Sequence, residues 1–245
     1  MNKKLKAVVL AAGQGKRLQS DRHDAPKVMR LADGKPLLSY VLEALDFIPP
    51  EDTVIVVGYK REQVMKAFSG YMFAVQEEQL GTGHAVMSAL DALPGFDGNL
   101  LVCCGDMPLI KGETYYKLVS RHGVNDCTIL SGESDVPLAY GRIVRNKQGE
   151  FLEIVEDKDC SPEQKDITEL NSGVYVFYSE TLRIVLPELS RDNNQQEYYL
   201  TDVPALELKK GFNVGVCRLN LGNQLIGVNT PEQLEQVEEI IKSRM

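Results

Sequence analysis

The sequence predicts an α/β protein in which helices flank a mixed, mostly parallel β-sheet. Over the first 130 residues, short apolar runs alternate with segments of helical pattern, which is typical of strand and crossover units that feed a parallel sheet. After residue 131 a hairpin is indicated, because runs at 141–145 and 151–155 flank the turn-forming tetrapeptide Asn146-Lys147-Gln148-Gly149. We therefore expect a parallel core with an antiparallel portion laid against it.

Each predicted element has a local signal. Short apolar runs predict strands at residues 7–10, 53–57, 72–76, 99–103, 127–130, 170–177 and 213–219. Helical patterns lie between them at residues 36–48, 61–68, 84–93 and 113–121. A final helix is expected after Thr230, because Pro231 suits the first helical position and Gln233 completes a capping box with the threonine.

The composition does not favour nucleic-acid or membrane partners. Hydrophobic residues make up 43% of the 245 and charged residues 25%, and the net charge is −8, with no cluster of Lys and Arg beyond the first six residues. No apolar run approaches the roughly 20 residues that a membrane helix needs. The five cysteines include no CxxC pair and are odd in number, so they favour neither a disulfide framework nor a zinc site. We expect a cytoplasmic protein.

The motif LAAGQGKRL, directly after the first predicted strand, is a candidate anion-binding loop. A glycine-rich turn at this place exposes backbone N–H groups, and Gly13 and Gly15 allow a ligand to approach closely. It is not a dinucleotide fingerprint, which needs a third glycine where Leu18 stands, nor a P-loop, which needs Ser or Thr where Arg17 stands. A second cation, Lys27, follows in a proline turn. Taken alone, the motif is equally consistent with a tight turn carrying solvated cations.

The chain resembles the sugar-nucleotide pyrophosphorylases, and among them the uridylyltransferases that act on N-acetylglucosamine 1-phosphate. The resemblance is carried, in the family's order, by LAAGQGKRL, PKV, QLGTGHAV, GDMPLI, YGRIVR, IVEDKD, ELNSGVYVF, EYYLTD and GVNTPEQL. It implies a Rossmann-like nucleotidyltransferase fold and the synthesis of UDP-N-acetylglucosamine and pyrophosphate from UTP and N-acetylglucosamine 1-phosphate, with Mg²⁺ as cofactor.

The resemblance also implies a domain organisation. We expect a single nucleotidyltransferase domain over residues 1–245, with a nucleotide-binding core at 1–130, a sugar-binding elaboration at 131–228 and a C-terminal helix at 229–245. The bifunctional relatives continue into a left-handed β-helix that acts as an acetyltransferase and supplies trimer contacts. We expect no such domain in this chain, and accordingly a monomer or a weak homodimer.

The family's site residues transfer to matching positions of this chain. Arg17 and Lys27 would be catalytic, by neutralising the triphosphate and the departing pyrophosphate. Two oxygen ligands, from Asp106 and Asn229, would hold Mg²⁺ together with phosphates and waters. The nucleotide would contact Leu10, Ala11, Ala12, Gly13, Gln14, Gly15, Gln76, Gly81 and Thr82. The sugar would contact Cys104, Gly105, Gly141, Glu156 and Asn171.

Without the resemblance, each of these residues has a plain structural explanation. Asp106 could cap a turn, Asn229 could simply flank a helix, and Glu156 lies in a solvated charge run. With the resemblance, these residue types suit the ligands that the family binds. The Gln76 amide offers a donor and an acceptor to the imide edge of uracil. Carboxylate and amide groups likewise suit sugar hydroxyls and an acetamido group.

Two departures from the family pattern leave alternatives open. The connection between Ser20 and Pro26 is longer than expected because of the insertion at residues 21–25, and Cys104 stands where an aromatic residue commonly precedes Gly-Asp. Both concern the sugar more than the reaction. Apart from these departures, another sugar 1-phosphate or dTTP is an alternative substrate, and a non-catalytic sensor that binds sugar nucleotides is an alternative function.

Overall fold

One mixed sheet of nine strands forms the centre of the fold within residues 3–15, 18, 25–134 and 138–244, which the computed structural model describes. The strands are β1 (Lys4–Leu10), β2 (Leu31–Ala32), β3 (Lys35–Pro36), β4 (Thr53–Val57), β5 (Met72–Val75), β6 (Gly98–Cys104), β7 (Cys127–Glu133), β8 (Arg142–Arg145), β9 (Phe151–Val155), β10 (Leu170–Tyr178) and β11 (Val214–Asn220). The helices are α1 (Leu37–Ala44), α2 (Arg61–Ala67), α3 (Thr82–Asp91), α4 (Gly112–His122), α5 (Pro162–Lys165), α6 (Ser179–Val185), α7 (Val203–Lys209) and α8 (Pro231–Ser243). Among the residues that the structure describes, strands β2 and β3 pair only with each other.

Seven strands lie side by side in the order β11-β7-β10-β6-β1-β4-β5. All are parallel except β10, which is antiparallel to both β6 and β7. The hairpin of β8 and β9 joins the sheet through the pairing of Arg142 with Leu170 on β10. These findings confirm the α/β class and the mostly parallel mixed sheet.

The predicted strands and the helices α1 to α4 are present, with ends shifted by a few residues. The helix expected at 36–48 ends at Ala44, and Leu45 begins a tighter turn that is closed by the Ile48 N–H on the Leu45 carbonyl at 2.8 Å. Helices α5, α6 and α7 and the β2–β3 hairpin were not predicted from the sequence. These helices have only four to seven residues, so their periodicity is a weak signal. The equally short α2 was predicted, because it lies between two clear apolar runs.

The strand β10 was expected to belong to the sugar-binding elaboration, and it lies inside the central sheet. It separates β6 from β7, so the hairpin attaches directly to the core. Two apolar layers cover the sheet, because side chains alternate along each strand. Ala7 and Val9 face the layer that contains Leu38 of α1, whereas Val8 faces the layer that contains Val86 of α3.

The C-terminal helix begins as predicted. The Thr230 hydroxyl accepts a hydrogen bond from the Gln233 N–H at 3.3 Å, and the Gln233 side chain accepts from the Thr230 N–H at 3.2 Å. Val237 and Ile241 bury the inner face of α8 against a third apolar cluster. In the described part of the chain, every helix is too short or too polar to cross a lipid bilayer.

A buried carboxyl group on α7 makes the stability of the fold depend on pH. Glu207 is fully buried, and its Oε1 accepts a hydrogen bond from the Thr181 hydroxyl at 3.1 Å. Burial raises the pKa of Glu207 from its ordinary value to about 7, although the Thr181 hydroxyl lowers it in part.

We predict that Glu207→Gln removes a decline in stability with rising pH. The folded state holds the Glu207 proton more tightly than the unfolded state, so the carboxyl group costs no stability below its ordinary pKa. As the pH rises towards 7 the buried carboxylate destabilises the fold, by roughly 3 kcal/mol at most. Urea unfolding between pH 4.5 and 8 measures this, and Glu239→Gln, an exposed change on α8, should leave the slope unaltered. Equal slopes for native protein and Glu207→Gln would contradict the prediction.

Candidate active site

Two adjoining clefts open where β1 and β6 end, at the carboxyl edge of the parallel strands, which is the usual ligand position in such sheets. The loop-side cleft is lined by Leu10, Ala11, Ala12, Gly13, Lys27, Val28, Gln76, Gln79, Gly81, Thr82, Ala85, Cys104, Asp106 and Glu197. The hairpin-side cleft is lined by Leu10, Thr82, Cys104, Asp106, Met107, Ala139, Tyr140, Gly141, Glu156, Asn171, Ser172, Gly173, Tyr175, Leu200, Thr201 and Asn229. They enclose about 740 and 690 Å³, counted to their open mouths, which suits small molecules.

Three polar side chains meet where the clefts join. The Lys27 ammonium forms a salt bridge with Asp106 Oδ2 and donates a second hydrogen bond to Asn229 Oδ1 at 2.7 Å. The Lys27 and Asp106 side chains are only 13% and 21% exposed, so the pair is screened weakly. Charge and hydrogen bonding thus concentrate on one point between the clefts.

Backbone hydrogen bonds position the segments that carry Asp106 and Asn229. The Gly105 N–H donates to the Leu10 carbonyl at 2.9 Å, which ties the end of β6 to the end of β1. The Val228 N–H donates to the Asp106 carbonyl at 2.9 Å and brings the segment before α8 alongside. Gly105 itself does not line either cleft. A Cβ atom there would lie 3.2 Å from Val28 and 3.2 Å from Leu38, so its role in this structure is close packing.

The oxygens of Asp106 and Asn229 fit a cation. Both converge on the Lys27 ammonium, whose nitrogen stands in for a positive ion at that point. No group of three or more His, Cys, Asp or Glu side chains suited to a metal exists in the described residues. A cation at this site would therefore rely on ligand oxygens and water for the rest of its coordination, which is the habit of Mg²⁺.

The glycine-rich loop folds over the end of β4. The Ala11 N–H donates to the Val56 carbonyl at 2.9 Å, and the Ala12 carbonyl accepts from the Tyr59 N–H at 3.2 Å. Gly15 has φ +71°, a conformation that favours glycine, whereas a side chain at Gly13 would meet only open space. Gln14 and Gly15 do not line the clefts, and the predicted catalytic residue Arg17 lies outside the described residues.

Gln76, Gly81 and Thr82, which were predicted to contact the nucleotide, form a tightly packed corner. Gln76, only 3% exposed, donates from Nε2 to the Gly81 carbonyl at 3.0 Å. Gly81 has φ +111°, and a Cβ atom there would lie 2.6 Å from the Tyr198 carbonyl oxygen. The Thr82 hydroxyl accepts from the Leu200 N–H at 3.0 Å. The first turn of α3 is thereby fixed against residues 198–200.

The hairpin side supplies a carboxyl group and an amide. Burial raises the pKa of Glu156, and nearby acidic groups such as Asp202 raise it further, although the Thr201 hydroxyl donates to Glu156 Oε1 at 3.0 Å. Asn171 donates to the Tyr175 hydroxyl at 2.7 Å and accepts from the Gly173 N–H at 3.2 Å. Both side chains are held in place by the protein.

Gly141 and Cys104 shape the wall between the strands. A Cβ atom at Gly141 would lie 2.8 Å from the Ile154 side chain, so the hairpin requires glycine there. Cys103 points into the apolar layer, and burial raises the pKa of its thiol to about 12. Cys104 lines both clefts, and burial raises its thiol pKa further still. Cys104 therefore offers the clefts a small neutral thiol.

Three residues that shape the clefts or the loop were not predicted from the sequence. Gln79 lines the loop-side cleft and donates to the Gln76 carbonyl at 3.2 Å, and Thr201 lines the hairpin-side cleft. A Cβ atom at Gly58 would lie 2.9 Å from the Ala12 carbonyl oxygen, so this glycine lets the loop close. Gln79 and Thr201 stand inside the motifs QLGTGHAV and EYYLTD, which were the available signal, whereas Gly58 had none beyond its place after a strand.

Two bifunctional bacterial proteins match almost the whole chain. Bifunctional protein GlmU of Streptococcus suis is 42% identical over 242 residues, covering 98% of this chain and 52% of the relative. Bifunctional protein GlmU of Alkaliphilus oremlandii is 41% identical over 245 residues, covering 99% and 53%. The chain spans about half the length of these curated relatives, their N-terminal nucleotidyltransferase half, and the matches confirm the resemblance.

The fold and the family agree with this match. A Bacillus anthracis protein, named as a glucose-1-phosphate thymidylyltransferase in its crystal structure with a sucrose, superposes with a TM-score of 0.71 over 97% of this chain and 95% of its own. At 18% identity the likeness shows the fold alone, a Rossmann-like nucleotidyltransferase fold. The family model of the MobA-like NTP transferase domain matches residues 7–200. This chain therefore belongs to the family of MobA-like NTP transferase domains.

Proposed function

We propose that this chain makes UDP-N-acetylglucosamine and pyrophosphate from UTP and N-acetylglucosamine 1-phosphate. The observation that carries the proposal is the meeting of Lys27, Asp106 and Asn229 at the junction of two clefts. A reaction that joins two phosphorylated substrates needs separate sites that touch at the phosphates. The bifunctional relatives, at 41–42% identity, support the choice of substrates.

The reaction is a nucleotidyl transfer with an anionic nucleophile. A phosphate oxygen of the sugar 1-phosphate attacks the α-phosphorus of UTP, a new P–O bond forms, and the bond to the β-phosphate oxygen breaks to release pyrophosphate. The nucleophile is already deprotonated at neutral pH, so no general base is required. Catalysis rests on positioning and on neutralising the negative charge that accumulates.

Protein groups would act on that charge. The loop N–H groups at Ala12 and Gly13 would donate to triphosphate oxygens, and Arg17 would stabilise the departing pyrophosphate. Lys27 would exchange its contacts with Asp106 and Asn229 for phosphate oxygens at the reacting centre. An ammonium already screened from water interacts strongly with such oxygens.

A divalent cation completes the charge balance. Proteins of this family generally use a divalent metal, and we propose Mg²⁺ held by Asp106 and Asn229. When bound, Mg²⁺ neutralises charge on the phosphate oxygens. The acceptor sugar would lie in the hairpin-side cleft, where the Glu156 carboxyl and the Asn171 amide face its hydroxyl and acetamido groups.

A substrate panel tests the proposal directly. With Mg²⁺, pyrophosphate release should be fastest for UTP with N-acetylglucosamine 1-phosphate, slower with glucose 1-phosphate or dTTP, and absent with a chelator. No release from any pair would overturn the proposal, and tight UDP-sugar binding without turnover would identify a sensor instead. A preference for glucose 1-phosphate would contradict the assignment of Asn171 and Glu156.

Asp106→Ala should lower kcat/KM by at least about a hundredfold, because one of two protein ligands to the cation is lost. Circular dichroism should show a native fold. Asp46→Ala removes an exposed carboxylate from the turn after α1 and serves as the control that keeps full activity. An active Asp106→Ala enzyme would exclude the cation site.

Lys27→Met should change catalysis and metal binding in opposite directions. Loss of the ammonium should lower kcat/KM by about 10²–10³-fold, as for other transition-state charge contacts. The ammonium then no longer competes for Asp106 and Asn229. The nucleotide-free protein should therefore bind Mn²⁺ more tightly, as measured by electron paramagnetic resonance. Lys35→Met, which removes a cation paired with Glu43, is the control. Unchanged or weaker Mn²⁺ binding would contradict this prediction.

A further inference from the structure

The side-chain amide of Gln76 has both hydrogens committed inside the protein. Its Nε2 donates to the Gly81 carbonyl at 3.0 Å and lies 3.1 Å from His84 Nδ1. An amide nitrogen only donates, so His84 Nδ1 is the acceptor and the imidazole carries its proton on Nε2. The contact to the Gly81 carbonyl fixes which end of the amide is nitrogen.

The oxygen of the Gln76 amide is left for a ligand. Gln76 lines the loop-side cleft, and its Oε1 accepts no hydrogen bond from the described part of the chain while not being sealed from solvent. A ligand in the loop-side cleft therefore meets a hydrogen-bond acceptor at this point. A base edge with an N–H group can bind there, whereas a base edge with a lone pair is repelled.

His84 cannot easily move away from the amide. The neighbouring Gly83 N–H donates to the Tyr198 carbonyl at 2.8 Å, and a Cβ atom at Gly83 would lie 2.9 Å from that oxygen. The His84 ring packs beside the Tyr198 ring with centroids 6.4 Å apart. His84 does not line the cleft, so it acts on a ligand only through Gln76.

We propose that His84 is a positioning residue that holds the Gln76 amide with its oxygen toward the nucleobase and thereby selects an imide edge over cytosine. Uracil presents N3–H to Gln76 Oε1, and thymine presents the same group, whereas cytosine presents the N3 lone pair. The inference rests on the proposed function, because it names the basis of nucleotide choice at that site. It selects against CTP without separating UTP from dTTP.

The test compares kcat/KM for UTP and CTP in the native enzyme and two variants. The native enzyme should prefer UTP by about a hundredfold or more. His84→Leu should reduce that preference about tenfold, mainly through a higher KM for UTP, since base contacts contribute uniform binding. His84→Asn should keep the preference to within about threefold, because Asn Oδ1 can replace the Nδ1 acceptor.

Controls separate a positioning role from a packing role. Ser88→Ala removes a hydroxyl that donates to the His84 backbone carbonyl at 3.1 Å, and it should leave the preference unchanged. Equal losses in His84→Leu and His84→Asn, or no loss in either, would overturn the proposal. His84→Ala replaces the leucine variant if that variant does not fold. If the native protein releases no pyrophosphate, the proposed function fails, and calorimetric binding of UTP and CTP to the same variants still decides the role of His84.

Discussion

The ion pair between Lys27 and Asp106, shared with Asn229, is the contact on which the site depends. These residues are 79 and 202 positions apart from Lys27 along the chain, so the ammonium gathers three distant segments. Parallel pairing of β1 with β6 brings the loop and Asp106 to one edge, and the packing of α8 brings Asn229. The fold positions charge at the point where its two clefts meet.

The clefts share four lining residues, and this sharing sets what chemistry is possible. The shared residues are Leu10, Thr82, Cys104 and Asp106, and Asp106 is paired with Lys27. Ligands in the two clefts would meet beside these residues. Transfer of a group from one ligand to the other is therefore favoured over reactions confined to a single ligand.

Hydrogen bonds within the protein hold the polar side chains of both clefts in place. The Gln76 and Asn171 amides each donate to protein acceptors, and Glu156 accepts a hydrogen bond from the Thr201 hydroxyl. Such groups need little reorganisation on binding, and the exposed remainder of each amide has a defined polarity. Discrimination between ligands then follows from the polar atom of each side chain that is not engaged in a hydrogen bond within the protein.

Elements with a local signal could be predicted from the sequence. Apolar runs predicted the strands, the loop after β1 was recognisable from its glycines, and Thr230 with Gln233 gave the start of α8. The motifs also named Lys27, Asp106 and Asn229, which the structure brings together. The antiparallel insertion of β10, the helices α5 to α7 and the donor-committed state of Gln76 became evident only in the folded molecule. The position of β10 and the state of Gln76 depend on contacts with other segments of the chain. The three helices are too short for their periodicity to be a strong signal.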